Sequence, residues 1–342
     1  MKTGLLRTRI AAVKSFLPEA ILDNQQLSAE SGWTADEIHS KTGIRQRHVA
    51  SKSQCTSDLA AAAVRRVLDE ASIPADNIEF LILCTQTPDY ILPTTACLVQ
   101  AKLGLSTSCA AFDLNLGCSG YVYALAIADS FISSGLFQRG IVATADTYTK
   151  YIHAADRSTR TIFGDGATAT MVEIHSGSGL SAFSFGTDGS GANNFIIPAG
   201  GTRLPSTEAT KELTGDKSGN QRTLENIYMN GPEIFSFTLR RVPEVINRTL
   251  KGAGMTLSEV DWFIFHQANG YMLEHLRKKL GIPGDRVLNR LEDVGNTVSS
   301  SIPLVIEHAL SSGQLHPGQR VLLVGFGVGY SWGTVLWTVS EA

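Results

Sequence analysis

Four short apolar runs punctuate the chain: Phe80-Leu81-Ile82-Leu83, Gly140-Ile141-Val142-Ala143, Trp262-Phe263-Ile264-Phe265 and Val321-Leu322-Leu323-Val324. None carries a polar residue on either face, so each must be covered on both sides, which is the condition of a buried parallel strand. Between them the apolar spacing changes to a helical period, as over Tyr121 to Ile132 and Pro303 to Leu310. Alternation of this kind predicts α/β layering.

The pattern also repeats. Asn77-Ile78-Glu79-Phe80-Leu81-Ile82-Leu83-Cys84-Thr85-Gln86 has the pattern of Glu259-Val260-Asp261-Trp262-Phe263-Ile264-Phe265-His266-Gln267-Ala268, which sets Cys84 opposite His266. Ser133-Ser134-Gly135 answers Ser311-Ser312-Gly313 as a helix end followed by a strand. The same 17-residue spacing separates Cys118 from Gly135 and Asn296 from Gly313, and each follows a glycine (Gly117, Gly295) at a strand-to-helix junction. Two copies of one α/β unit facing each other about a pseudo-twofold axis would bring these junctions together. The expected division is residues 1–178, carrying Cys118, and 179–342, carrying His266 and Asn296. The polar stretch Gly200 to Thr223 reads as a surface excursion.

These junctions carry candidate chemistry. A cysteine at the first turn of a helix meets unpaired N–H groups and the positive end of the dipole, so Cys118 is expected to have a raised thiolate fraction. Ser119 and Gly120 leave access to it. Cys55, Cys84, Cys97 and Cys109 read instead as small core residues. His266 ends an apolar strand, so its imidazole should emerge at the carboxyl edge of a sheet, where ligands collect. Asn296 alone would be a cap or turn residue, and its pairing with Cys118 promotes it. Gly325-Phe326-Gly327-Val328-Gly329-Tyr330 lacks dinucleotide-loop spacing and is followed by a strand-like run, so it reads as a strand-end turn with N–H groups pointing into the site. Phe163-Gly164-Asp165-Gly166-Ala167 reads as a tight turn.

Composition narrows the partners. With 342 residues, 43% apolar, the chain can bury a large core, and a net charge of -3 with 18% charged residues gives no basic field for nucleic acid or an anionic membrane. The N-terminus alternates basic and apolar residues (Lys2, Arg7, Arg9 around Leu5, Leu6, Ile10) and lacks a secretory apolar core. Five cysteines without a CxxC pair fit a reducing compartment, so a cytoplasmic location is expected. No HExxH arrangement suggests a metal, and no GxSxG elbow suggests a serine hydrolase.

Asp113-Leu114-Asn115-Leu116-Gly117-Cys118-Ser119-Gly120, His266-Gln267-Ala268-Asn269, Gly295-Asn296-Thr297, Phe163-Gly164-Asp165-Gly166-Ala167 and Thr42-Gly43-Ile44-Arg45-Gln46-Arg47-His48 together resemble the β-ketoacyl-[acyl-carrier-protein] synthase III family of the thiolase superfamily. The resemblance runs from near residue 8 to near residue 338. It implies a five-layered αβαβα thiolase fold built from two duplicated halves, and a homodimer. It further implies that Cys118 accepts an acyl group from a thioester primer on coenzyme A or phosphopantetheine, with no bound cofactor. Malonyl-acyl carrier protein then enters, and His266 and Asn296 stabilise the enolate left by decarboxylation. The resemblance also implies that Cys118 and Val328 supply the oxyanion-hole N–H groups, with Arg157, Lys41, Leu92 and Phe326 expected around the substrate; Arg277, Lys278 and Lys279, read on one helix after His266, are expected to offer a basic rim to the acidic carrier protein.

Departures from the family touch the primer. Glu37 stands where relatives place a tryptophan on the adenine of coenzyme A, with Lys41 for a nearby arginine, while Arg157 is retained. Val328 replaces a common glycine. Leu92 stands where a bulkier partner-subunit residue often limits the acyl pocket. These point to a carrier-delivered or longer acyl primer, or else to Trp33 taking over the stacking. Two other readings stay open: an acyltransferase passing the Cys118 acyl group to an alcohol or amine, and a non-catalytic carrier-protein-binding subunit.

Overall fold

The computed structural model describes residues 7–341, in which the apolar runs become strands of two sheets. Lys2, Leu5 and Leu6 lie outside the described residues. The first sheet contains β1 (Arg7–Phe16), β2 (Phe80–Cys84), β3 (Ala110–Leu114), β4 (Arg139–Asp146) and β5 (Gly166–His175), in the order β1-β5-β4-β2-β3. The second contains β6 (Leu180–Thr187), β7 (Trp262–Phe265), β8 (Arg320–Gly327) and β9 (Ser331–Thr338), in the order β7-β8-β9-β6. The four apolar runs form the parallel pairs β2/β4 and β7/β8, and β3 joins β2 in parallel as well.

The helices that bear on the site are α1 (Ala35–Thr42), α2 (Thr56–Ala71), α3 (Gly120–Ser133), α4 (Gly231–Gly252), α5 (Gly270–Leu280) and α6 (Ser301–Ser311). Strand side chains alternate between faces, and the sequence shows where each face goes. Phe80 and Ile82 join α3, α6 and the second sheet's Ile264, Val321 and Leu323 in one central core. Leu81 and Leu83 point the other way, onto α2. Phe263, Phe265, Leu322 and Val324 pack outward under α4 and α5. The result is five layers, α-β-α-β-α, with α3 and α6 sandwiched in the middle. Both central helices are apolar over most of their surface, as a helix covered all round must be. Each ends at the Ser-Ser-Gly signal, with Gly135 at φ +75° and Gly313 at φ +69°.

Several hydroxyls buried in the middle layer pair with one another: Tyr121 with Thr170 at 3.0 Å, and Thr144 with both Thr168 at 2.6 Å and Ser300 at 2.8 Å. No helix among the described residues is long and apolar enough to cross a membrane.

Candidate active site

The start of each central helix delivers one polar side chain to the same cavity. Cys118 sits in the turn just before the N-cap Ser119 of α3, and Asn296 lies in the turn that leads through Val298–Ser300 into α6. His266 comes from the carboxyl end of β7, where its N–H continues the ladder to Val324 O at 2.8 Å. All three line one cavity of about 720 Å³, together with Phe326, Lys41 and Trp33.

The approach of the two sheets at this point requires glycine. A Cβ on Gly327 would stand 2.7 Å from Cys118 Cβ and 2.9 Å from its Sγ, and one on Gly325 would stand 2.8 Å from Ser119 Cα. The Ser119 and Ser331 hydroxyls, 2.6 Å apart and buried, tie the Cys118 turn to β9.

His266 and Asn296 are fixed from behind. His266 Nδ1 lies 2.7 Å from Ser301 Oγ, which also accepts the Gln267 N–H at 3.3 Å. The Ser301 hydroxyl hydrogen is thereby free to donate to Nδ1, and in that arrangement the neutral imidazole carries its proton on Nε2. Asn296 Nδ2 is 3.5 Å from that Nε2, while Oδ1 accepts the Val298 N–H at 2.9 Å. This last bond orients the amide and depends on Val298 adopting φ +55°. For a β-branched residue the left-handed region costs about 1–3 kcal/mol, strain of the kind that collects at functional sites. The Phe163 turn pins the Asn296 backbone: Asn296 N donates to Ile162 O and Gly164 N donates to Asn296 O, both at 3.0 Å. The segment read as a tight turn thus holds Asn296.

Burial sets the electrostatics and corrects one expectation. Cys118 is 3% exposed, and burial, then the nearby Asp146 carboxylate, pushes its thiol up to about 12. Its own N–H and that of Val328 pull the other way, which places both amides beside the sulfur. The resting group is a thiol, because desolvation outweighs the helix-start dipole. His266 is pushed down to about 3 by burial, opposed only in part by the Val298 backbone, so it is a neutral imidazole. Asp146, held by Gln86 N and the Ser299, Thr87 and Thr85 hydroxyls, is pushed up to about 7 by burial.

At the mouth, the side chains differ from the expected arrangement. Glu37 forms a capping box with Thr34 at the start of α1 and does not line the cavity. The aromatic surface is Trp33, four residues earlier, with Arg157 Cζ 4.8 Å and Lys41 Nζ 5.4 Å from its ring centroid. Arg157 itself donates to Ser31 O at 3.2 Å and Ser218 O at 2.6 Å. Ser218 belongs to the stretch read as a surface excursion. That stretch is largely exposed, as read, and three of its residues, Asp216, Ser218 and Asn220, also line the cavity, anchored by Arg222, which bridges Asp156 and Asp216 at 2.7 Å each.

The remaining expected residues fall elsewhere. Phe326 lines the cavity and meets His266 edge-on at 5.6 Å. Leu92 is 79% exposed, on a tip with Tyr90 and Ile91, and does not line its own chain's cavity. Arg277 and Lys278, on α5, both pair with Glu274, at 2.7 and 3.2 Å, whereas Lys279 has no ion-pair partner among the described residues. Ser301 and Val298 were not singled out in the sequence. Among the described residues no His/Cys/Asp/Glu group is placed to hold a metal ion.

Similarity to known proteins adds a second line. A family profile described as 3-oxoacyl-[acyl-carrier-protein (ACP)] synthase III matches residues 112–189, and its C-terminal counterpart matches residues 250–339. The chain is 37% identical to the β-ketoacyl-[acyl-carrier-protein] synthase III of Caldanaerobacter subterraneus over 94% of its own length and 95% of the relative's. Among solved structures, a 3-oxoacyl-(acyl-carrier-protein) synthase III superposes with a TM-score of 0.96 at 45% identity, covering 97% of this chain and 99% of that one. The 3-oxoacyl-(acyl-carrier protein) synthase of Burkholderia xenovorans superposes with a TM-score of 0.89 at 37% identity, covering 99% and 97%. With these likenesses running nearly end to end, the chain belongs to the β-ketoacyl-[acyl-carrier-protein] synthase III family, and its five layers are the thiolase fold.

Proposed function

We propose that the protein catalyses the decarboxylating Claisen condensation of an acyl thioester primer with malonyl-acyl carrier protein, in fatty acid or related acyl-chain synthesis, through an acyl-Cys118 intermediate. The observation that carries this reading is the pair of donors, His266 Nε2 and Asn296 Nδ2, 3.5 Å apart in the same cavity as Cys118. One oxygen can accept from both.

In the first half-reaction, Cys118 sulfur replaces the primer's thiol: a new thioester forms, the old one breaks, and the thiol proton leaves with the departing group. In the second, the malonyl thioester loses CO₂ and its carbonyl oxygen takes the enolate charge between His266 and Asn296. The enolate carbon attacks the acyl-Cys118 carbonyl, whose oxygen is held by the Cys118 and Val328 N–H groups, and Cys118 is expelled as thiolate when the carbon–carbon bond closes, then takes up one proton from water to restore the thiol. Fixed donors aimed at developing charge are the main catalytic lever. The neutral state of His266 serves this role, since the imidazole is a donor and not a titrating acid. Trp33, with Arg157 and Lys41, forms the outer station for the coenzyme A or phosphopantetheine arm. Loading acyl thioester, confirming the mass of acyl-Cys118, then adding malonyl-carrier protein tests the reading. One CO₂ should be released per β-ketoacyl product, and transfer to an alcohol or amine without CO₂ would overturn it.

Two measurable consequences follow from the geometry. The first concerns protonation. Burial lowers the His266 pKa from its usual value to about 3, so the ring stays neutral as pH falls from 8 to 5, where an exposed histidine would gain a proton. A histidine-selective NMR titration should show His266 flat over that range, and a midpoint near 6.5 would exclude a preset neutral donor. The second concerns the carrier. With Arg277 and Lys278 engaged by Glu274, Lys279 is the rim charge left to meet an acidic partner. Lys279→Glu should lower kcat/KM for malonyl-carrier protein by about 3–10-fold, more than Arg277→Glu, with a smaller effect on acylation by a small thioester.

The two sheets, drawn from residues 7–175 and 180–338, support a division near residue 178 into units that each supply part of the site. The exposed Tyr90-Ile91-Leu92 tip supports a homodimer, and five free cysteines suit a reducing cytoplasm.

A further inference from the structure

Asp146, the last residue of β4, is a carboxylate only 1% exposed, and the four donors that meet it are all neutral. A charge buried in this way is costly unless its lone pairs are filled. Oδ1 accepts the Gln86 N–H at 2.8 Å and the Thr87 and Thr85 hydroxyls at 3.2 and 3.3 Å, all from the segment after β2. Oδ2 turns to the other half of the chain and accepts the Ser299 hydroxyl at 3.1 Å. Three consecutive serines thus fasten one turn to three places: Ser299 to Asp146, Ser300 to Thr144 Oγ1 at 2.8 Å, and Ser301 to His266 Nδ1 at 2.7 Å. Ser299, itself 1% exposed, is the one bonded directly to Val298, whose φ of +55° gives Asn296 Oδ1 its N–H donor at 2.9 Å. A β-branched residue keeps such a backbone only where its surroundings over-determine it. On the Asn296 side the backbone is fixed by Ile162 O and Gly164 N. On the Ser299 side the tie is Asp146.

We propose that Asp146 is a positioning residue for Asn296, holding the Val298 turn through Ser299 so that the Asn296 amide stays aimed beside His266 Nε2. The inference rests on the enolate-stabilising reading above and deepens it with a residue that does not line the cavity. Without the Ser299 contact, Val298 relaxes to a negative φ and its N–H turns away from Asn296 Oδ1. The Nδ2 donor is then still present but misaimed, and a small misplacement of a fixed donor is enough to slow the step that needs it. That step is decarboxylation. Acylation of Cys118 uses neither Asn296 nor the turn that carries it.

The test compares malonyl decarboxylation, read as CO₂ release, with Cys118 acylation, read by intact mass, in Ser299→Ala, Asp146→Ala and Asp146→Asn. Ser299→Ala should lower kcat for CO₂ release by about tenfold, with KM for malonyl-carrier protein and the acylation rate each within about twofold of wild type. Asp146→Ala should fall at least as far, and adding Ser299→Ala to it should lower CO₂ release no further, because both remove one contact. Asp146→Asn should keep CO₂ release within about threefold, since its amide oxygen can still accept the Gln86 N–H while its amide nitrogen donates to Ser299 Oγ. Should Asp146→Ala fail to fold, Ser299→Ala and Asp146→Asn still decide. An unchanged rate of CO₂ release in Ser299→Ala, or an equal loss in both half-reactions, overturns the inference alone. So does a loss in Asp146→Asn as deep as that in Ser299→Ala, which would assign the effect to the charge. Wild type that acylates Cys118 but releases no CO₂ overturns the condensing reading and this inference with it.

Discussion

Malonyl decarboxylation by His266→Ala or Asn296→Asp falls by about 10²–10³-fold, the usual cost of removing one preorganised donor to an oxyanion, while acylation of Cys118 loses far less. The two variants fail for different reasons. His266→Ala deletes the Nε2 donor that Ser301 holds in place at 2.7 Å. Asn296→Asp replaces the Nδ2 donor by an oxygen and sets a carboxylate where enolate charge must form. The Val298 N–H that holds Oδ1 remains, so the side chain keeps its place and only its chemistry changes. CO₂ release and acyl-enzyme mass separate the half-reactions, and unchanged CO₂ release in either variant would remove that residue from the mechanism.

Cys118→Ala gains no acyl mass from any primer, and condensation is lost altogether. The resting thiol carries a further signature. Because burial holds it protonated up to about 12, iodoacetamide should alkylate it at pH 7 much more slowly than a free cysteine, despite its place at the start of a helix. Acylation by the true primer must then draw on contacts that ordinary alkylating reagents lack, namely the N–H groups of Cys118 and Val328 and the walls of the cavity. Stoichiometric acyl gain by Cys118→Ala would overturn the assignment of the nucleophile.

The layers were legible because runs such as Phe80–Leu83 and Phe263–Phe265 have no polar face to show water. The meeting of Cys118 with Asn296 was legible from an equal distance to two helix-ending glycines. Other features depend on tertiary packing and leave no mark on the chain. The pKa of Cys118 follows from burial by Phe326, Gly327 and Val328, more than two hundred residues away, and its helix-start context alone pointed the wrong way. Trp33 and not Glu37 lines the cavity because the start of α1 is fixed by the Thr34–Glu37 capping box, which leaves the indole four residues earlier. Gly200 to Thr223 is polar whether it faces solvent or the cavity mouth, so its composition could not show that an exposed excursion also lends three side chains to the cavity. Ser301 sits in a run of three serines that gives no sign of which one meets a histidine.

The site is also reciprocal. Ile162 and Gly164, from the half that carries the nucleophile, hold the backbone of Asn296 in the other half, while Val328, from that other half, turns its amide back toward Cys118. Each half therefore holds part of the candidate site of the other. A chimera that joins halves from two divergent relatives can retain Cys118, His266 and Asn296 and still be inert, unless the segments around 162–164 and 325–328 are inherited as a matched pair.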